Sequence, residues 1–166
     1  MVTTELIRRY PFFAGFNHDQ LTFLAKAGNE LSVEGGHHFF YEDNLLKSFY
    51  LVLDGIVAIT LNIPDRDVLQ PLSNQITNNL ITRDVTVSTV HEGEIFGWSA
   101  IVPPNFSTAN AKASSPCRVV EFNYKALQPY IEDDCCFGHM LTLKVAQIIR
   151  ERLRDSRIES LAEAII

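Results

Sequence analysis

Glu94 to Ala113, EIFGWSAIVPPNFSTANAKA, carries the most suggestive side chains in the sequence. A glycine turn at Gly97 leads into a short apolar piece, Pro103 and Pro104 break it, and a strand of small residues follows. Backbone amides at such a turn, together with the hydroxyls of Ser99, Ser107 and Thr108, suit a small anion. The turn itself carries the bulky Trp98, and the first charge after it is Lys112. The chemistry on offer is hydrogen bonding and ring stacking, with a cation only at the far end.

Two other groups invite a metal or redox reading. GGHHFFYE, Gly35 to Glu42, sets His37 beside His38, and His91 lies close to Glu92 and Glu94. A jelly-roll metal enzyme of the cupin type needs two strand histidines separated by one residue, so that both point inwards. Adjacent histidines face opposite sides, and paired strand-end histidines are ordinarily surface residues, so the cupin reading is a remote alternative. In DDCCFGHM, Cys135 and His139 share a helix face, four residues apart. A helix N-terminus lowers a thiol pKa, which would make Cys135 or Cys136 redox-responsive. The expectation here is the plainer one, buried thiols acting as small apolar residues. The three cysteines, with Cys117 isolated, do not supply the four ligands of an iron–sulfur cluster. No Ser-His-Asp order, phosphate-binding Walker loop or pair of catalytic carboxylates is legible, and no enzyme is expected.

The elements that must position these residues fit one domain of 166 residues, 46% hydrophobic and 20% charged. The formal charge of −6 argues against a general nucleic-acid binder, whose surface would be basic. A run of basic residues from Lys144 to Arg157 alternates with Glu151 and Asp155 and reads as a solvated helix face. No signal peptide and no bilayer-length apolar run is visible, and the cysteines suggest no disulfide framework, so the cytoplasm is the expected compartment.

Thr3 and Thr4 are candidate caps of a short helix ended by Pro11, and Asn17 caps a second, with Gly28 as its C-terminal glycine. From Glu30 the texture becomes β. Short alternating runs are separated by Gly35–Gly36, by Asp54–Gly55 (a hairpin-type signal), by Glu92–Gly93 and by Ser114–Ser115–Pro116. Many short strands at such intervals predict a sandwich, barrel or jelly roll. Ile63 to Asp84 is polar and longer than a hairpin needs, which predicts a mobile surface excursion. Helical periodicity returns in NYKALQPYI and then in a long helix from Asp133 to Ala164. About 30 residues of helix span about 45 Å, too long to be buried along its whole length by a small β domain. Leu141, Val145, Ile148 and Ile149 form one apolar stripe, and Ile158, Leu161 and Ile165 form another. The expected organisation is a mainly β domain with N-terminal helices over 1–132 and a long dimerisation helix over 133–166.

This order of elements, with four short motifs, resembles the effector domain of the catabolite-activator/FNR family, the cyclic-nucleotide-binding domain. Gly36 sits where that family turns into its second strand. Phe39 to Asn44, FFYEDN, is similar to its Ile-Phe-x-Glu-Gly-Asp pattern. Phe49 to Ile59, FYLVLDGIVAI, is similar to Leu-Tyr-Ile-Val-x-x-Gly-x-Val. Glu92 to Trp98, EGEIFGW, is similar to the Gly-x-x-Phe-Gly-Glu approach to the phosphate-binding cassette. The resemblance implies a mainly β fold, a double-stranded β-helix or jelly roll with flanking helices and a long C-terminal helix. No metal or cofactor is expected, and the resemblance leaves open whether a cyclic nucleotide, another small ligand or none is bound.

In the family a cassette helix offers amides to a cyclic phosphate, an arginine pairs with that phosphate, and a glutamate accepts from the ribose hydroxyl. Carried onto this sequence, the cassette comprises Phe96, Gly97, Trp98, Ser99 and Ala100, then Ser107, Thr108 and Ala109. The ribose glutamate falls on Trp98, and the phosphate arginine on Ser107, or on Phe106 if the loop slips by one. Hydrogen bonds to charged groups are worth about 1.5–3 kcal/mol each, so losing two weakens binding by roughly two to four decades. Three arrangements follow for the pocket. It is collapsed around Trp98 with Phe106 as a plug. Or it binds a neutral or aromatic ligand that stacks on Trp98 and bonds Ser99, Ser107 and Thr108. Or it holds a nucleotide through Lys112 and backbone amides.

The expectation is a bacterial-type sensor or regulatory module that acts through a homodimer or an unidentified protein partner. A cyclic-nucleotide signalling protein and a purely structural scaffold are the alternatives. The sequence ends at Ile166, where DNA-binding relatives continue into a helix-turn-helix, so no direct DNA binding is expected, and no membrane association.

Overall fold

The computed structural model describes residues 2–65, 68–69, 71–76 and 81–164. Helix α1, Thr4–Arg8, is capped by Thr3, whose hydroxyl accepts the Leu6 amide at 3.2 Å. A single 3-10 turn, Pro11–Phe13, follows. Helix α2, His18–Ala27, starts on a full capping box in which Asn17 and Gln20 bond each other's backbone amides at 2.9 and 3.0 Å. Gly28 departs from its expected role. Its φ of −89° is ordinary and it already opens strand β1, Gly28–Val33. Glycine is needed there because a Cβ would stand 3.1 Å from Val120 and 3.2 Å from Phe122.

The other strands are β2 (His38–Phe40), β3 (Ser48–Asp54), β4 (Val57–Pro64), β5 (Thr82–Val90), β6 (Ile95–Phe96), β7 (Asn110–Ala113) and β8 (Cys117–Asn123). They form two four-stranded sheets in the orders β1-β8-β3-β6 and β2-β7-β4-β5, and every pairing is antiparallel. Each connection except β4 to β5 passes from one sheet to the other, which rolls the chain into the expected mainly β architecture.

The Asp54–Gly55 turn is therefore not a hairpin, as its sequence signal suggested. Its flanking strands β3 and β4 lie in different sheets. Gly55 takes φ +90°, and a Cβ there would collide with the Pro116 carbonyl oxygen. Two corners interlock at this point. The Ile56 amide donates to Ser115 Oγ at 3.1 Å, and the Ser114 amide donates to the Ile56 carbonyl at 2.8 Å.

The true hairpin is β4–β5. It runs on through Ile63↔Arg83 and Pro64↔Thr82, so the ends of the expected excursion are strand. A short helix α3, Leu72–Ile76, lies beyond them. The remainder of that excursion, at 66–67, 70 and 77–80, lies outside the described residues, as does Ile165.

Strand alternation feeds two cores. On β3, Phe49, Leu51 and Leu53 face the helices, while Val52 faces the second sheet. On β8, Val120 and Phe122 face the helices and Val119 faces the second sheet. The first sheet is thus buried on both faces. Full burial of each such side chain stabilises by about 1.5–3 kcal/mol.

Helix α4, Tyr124–Asp133, starts on the Asn123 side chain, which accepts the Ala126 amide at 3.3 Å. Helix α5, Cys135–Ala164, is 30 residues long. Its Phe137, Leu141 and Val145 are buried in the same core as Phe13, Phe49 and Phe122, with Ile148 and Ile149 packed at its margin. The stripe expected to dimerise is therefore this chain's own core. Leu141 and Val145 are each only 1% exposed, because the helix covers the apolar face of the first sheet.

Candidate ligand site

Gly97 makes the site's geometry. It takes the left-handed conformation, φ +73° and ψ 19°, and hands the chain from β6 into a 3-10 turn at Trp98–Ala100. A Cβ at this position would lie 3.1 Å from the Tyr50 ring and 3.3 Å from the Phe40 ring. Behind it Tyr50 stacks on Phe96, with ring centroids 4.9 Å apart and planes at 16°, and Phe39 meets Phe96 edge-on at 5.0 Å. Burial, and after it the nearby Glu121 carboxylate at 3.4 Å, pushes the Tyr50 phenol well above its ordinary pKa.

The loop after the turn is fixed by side chains the sequence did not advertise. Asn105, at φ +69°, donates through Nδ2 to the carbonyls of Ala100 at 2.8 Å and Ser99 at 3.2 Å. Asn110, 3% exposed, accepts the Glu42 amide at 2.8 Å. Their only advance signal is that asparagine tolerates positive φ and pairs readily with backbone.

Ser107 is 2% exposed and its hydroxyl is fully engaged. It accepts the Asn44 amide at 3.1 Å and donates to the Tyr41 carbonyl. Backbone bonds from Ser107 N to Asn44 O at 2.9 Å and from Asp43 N to Ser107 O at 3.0 Å complete the pin. The position assigned by resemblance to a phosphate cation is a structural fastening between the cassette loop and the 41–44 turn.

A cavity of about 150 Å³ remains open in front of the turn. Of the residues assigned to the cassette, Phe96, Gly97, Trp98, Ser99, Ser107, Thr108 and Ala109 line it. Ala100 does not; it is 1% exposed and packs in the core between the sheets. Phe40, Ile59, Ser88 and Val90 complete the walls from the two sheets.

Two expectations are corrected here. Phe106 is no plug; it is half exposed, bridges to Leu45 through backbone, and is not on the cavity wall. Lys112, on β7, pairs with His38 and Ala58 and does not reach the cavity either. Trp98 is half-buried against the helix-side core and forms a wall, so the pocket is not collapsed around it.

The charge at the cavity comes from an unforeseen residue, Arg152 of α5. Its Nη1 donates to the Thr89 carbonyl at 3.2 Å, and its Nη2 stands 3.9 Å from Glu94 Oε2. Glu94 Oε2 in turn accepts the His91 amide at 2.7 Å. Arg152 follows Val145, Ile148 and Ile149 by seven, four and three residues, which puts it on the helix's core-facing side. A charge on an apolar helix face was the available signal. Arg152 also borders a second cleft, of about 380 Å³, between α5 and the Glu92–Ile95 turn, with Glu92, Lys144, Glu151 and Asp155 around it.

The remaining clusters do not assemble. His37 is exposed against Phe39, while His38 stacks on Tyr41 at 4.6 Å, facing away from it. Among the described residues no three His, Cys, Asp or Glu side chains come together to hold a metal ion. Cys135 and Cys136 are exposed, contrary to the expectation of burial, because Phe137 and Leu141 take the inward face of α5. No described helix is long and apolar enough to cross a membrane.

Residues 30–134 match the sequence profile of the cyclic nucleotide-binding domain. No curated protein matches the sequence. Among solved structures, a Geobacter metallireducens GS-15 protein of the cyclic nucleotide-binding class is 29% identical, with a TM-score of 0.73 over 92% of this chain and 99% of that one. A cyclic nucleotide-binding domain from Methylobacillus flagellatus KT shares the fold at 18% identity and a TM-score of 0.74, covering 96% of this chain and 81% of its own. The Thermus thermophilus catabolite activator protein does so at 18% identity and a TM-score of 0.64, with 93% of this chain matching 63% of that protein. With its β-roll, its Gly97 turn and its long closing helix, the chain belongs to the cyclic nucleotide-binding domain family.

Proposed function

We propose that this chain is a ligand-responsive regulatory module, not an enzyme, whose pocket takes a small molecule other than an ordinary cyclic nucleotide and whose output passes through α5. The observation that carries this reading is Ser107. The family's phosphate partner is replaced by a hydroxyl whose hydrogen bonds all go to the protein's own backbone. Trp98 occupies the ribose-acceptor position as a cavity wall, and about 150 Å³ is small beside the roughly 300–1,000 Å³ of ordinary ligand pockets.

The output surface follows from helix geometry. At about 100° per residue, Phe137, Leu141, Val145 and Ile148 span roughly 80°, whereas Leu143, Leu153, Ile158 and Leu161 span roughly 140° centred almost opposite. The second group is exposed, by 44%, 49%, 54% and 63% respectively. The same arc carries the exposed Arg150, Arg154 and Arg157, and this mixed apolar and basic face, turned away from the chain's own core, suits a second copy of α5 or a partner helix that sets carboxylates against the arginines. Homodimerisation is thus reassigned from the Leu141–Val145 face to the face bearing Leu153 and Leu161.

Titration with cyclic AMP and cyclic GMP tests the ligand reading. Trp98 is the single tryptophan and lines the cavity, so its fluorescence reports occupancy. No saturable change and no rise in melting temperature are expected up to millimolar nucleotide. A micromolar response to either nucleotide would return the chain to ordinary cyclic-nucleotide signalling.

A further inference from the structure

We propose that the cavity beside Trp98 is a site for a small organic carboxylate with an apolar body, and that Arg152 of α5 is the residue that holds its anionic group. This assignment rests on the reading above that the pocket takes something other than a cyclic nucleotide. The walls state the ligand's shape. Phe40, Ile59, Val90, Phe96 and Trp98 supply apolar and aromatic surface, and Gly97 leaves room in front of the rings. An apolar cavity of about 150 Å³ holds roughly one six-membered ring.

The charge states the ligand's other end. Among the described residues Arg152 is the one charged side chain on the cavity wall, and no carboxylate lines it. Its guanidinium has five N–H donors. One goes to the Thr89 carbonyl at 3.2 Å, and the Glu94 carboxylate at 3.9 Å is beyond hydrogen-bond distance. Donors therefore remain for a ligand carboxylate, whose two oxygens match the guanidinium fork. Ser88, Ser99 and Thr108 are the hydroxyls on the same wall. They suit the second lone pairs of that group. Ser107 is excluded from the role by its own internal bonds.

Such a ligand links two elements. Its body lies against the cassette turn and the β-roll, and its anion fastens the eighteenth residue of a helix whose following residues, Leu153 to Ala162, are all exposed. The guanidinium, tied on one side to the Thr89 carbonyl and Glu94, sits between the ligand cavity and the cleft lined by Glu92, Glu94, Lys144, Glu151 and Asp155. Occupancy would draw Arg152 away from Glu94 and towards the cassette.

The test is Trp98 fluorescence of the full chain titrated with benzoate, phenylacetate and 4-methylpentanoate. Benzamide, phenylacetamide, inorganic phosphate and cyclic AMP are the controls. At least one carboxylate is expected to bind about ten- to a hundredfold more tightly than its amide. Arg152→Gln should abolish that preference, Arg152→Lys should restore part of it, and Glu94→Gln should strengthen carboxylate binding severalfold. Arg152 is partly exposed, and melting curves of each variant confirm folding. Equal affinity for acid and amide, or a preference that survives Arg152→Gln, would overturn the assignment while leaving the non-nucleotide reading intact. Binding of cyclic AMP alone would overturn both. Silence across the whole set would overturn the carboxylate site.

Discussion

Ser107 and Gly97 show how much of the site is decided by single atoms. Gly97 was legible in the sequence as a turn glycine, and the structure gives the reason, a left-handed φ with the Tyr50 and Phe40 rings 3.1 and 3.3 Å from where a Cβ would stand. Ser107 was legible only as a missing arginine; its actual work needs the 41–44 turn, more than sixty residues away in sequence. Ser107→Ala is expected to cost about 1–3 kcal/mol, because the Asn44 amide and Tyr41 carbonyl lose a buried partner. Urea midpoints at constant slope measure it. For the same reason the double change Trp98→Glu, Ser107→Arg is not expected to rebuild a cyclic-nucleotide site. It removes the pin and sets a guanidinium at a position 2% exposed. Calorimetry with cyclic AMP on a folded double variant checks this, and micromolar binding would contradict it. Arg152 escaped the sequence reading because charged residues around it alternate in sign and read as one solvated face, whereas the fold turns this member inwards.

At the level of elements, α2 and α5 are joined by one carboxylate. Asp134 accepts the Gln20 side-chain amide at 2.8 Å and the amides of Phe137 and Cys136 at 3.1 and 3.0 Å. Gln20 first, then the Phe137 amide, holds the Asp134 carboxyl below its ordinary pKa. A folded pKa depressed below the unfolded one means that this contribution is complete above the unfolded value of about 4 and is lost as pH falls through the folded value. Asp134→Asn, which gives Gln20 a donor where it needs an acceptor, should therefore lower stability at pH 7. The gap between variant and wild type should close as the pH is taken below 4, and chemical denaturation at pH 7, 5 and 3 tests the sign. The caps at Thr3 and Asn17 were readable as local patterns of two or three residues. The Asp134–Gln20 link was not, since it spans 114 positions. The same limit explains Asp54–Gly55. Its dipeptide encodes a tight turn, but only the interlocked Ser114–Pro116 corner decides that the strands part into different sheets.

For the whole molecule, α5 has a buried apolar face and an opposed exposed face on which leucines alternate with arginines, and the two predict opposite consequences for substitution of a leucine. Leu141 is buried beneath the first sheet, so Leu141→Ala should destabilise the monomer fold by about 2–5 kcal/mol. Leu153 and Leu161 are 49% and 63% exposed and belong to neither core, so Leu153→Glu with Leu161→Glu should leave the β-roll's stability unchanged. If the exposed face is the dimer surface, the double change should shift sedimentation from dimer to monomer at micromolar protein. A chain that is monomeric before substitution would instead assign this face to a different partner. The argument extends to linkage, because the core-facing side of the same helix carries Arg152. If occupancy of the cavity fixes α5, each bound ligand must strengthen self-association by the factor by which self-association strengthens its binding. A dimer carries two such cavities, so measured dimer dissociation constants with and without saturating carboxylate should differ by the square of the ratio of the carboxylate's affinities for dimer and for the Leu153→Glu, Leu161→Glu monomer.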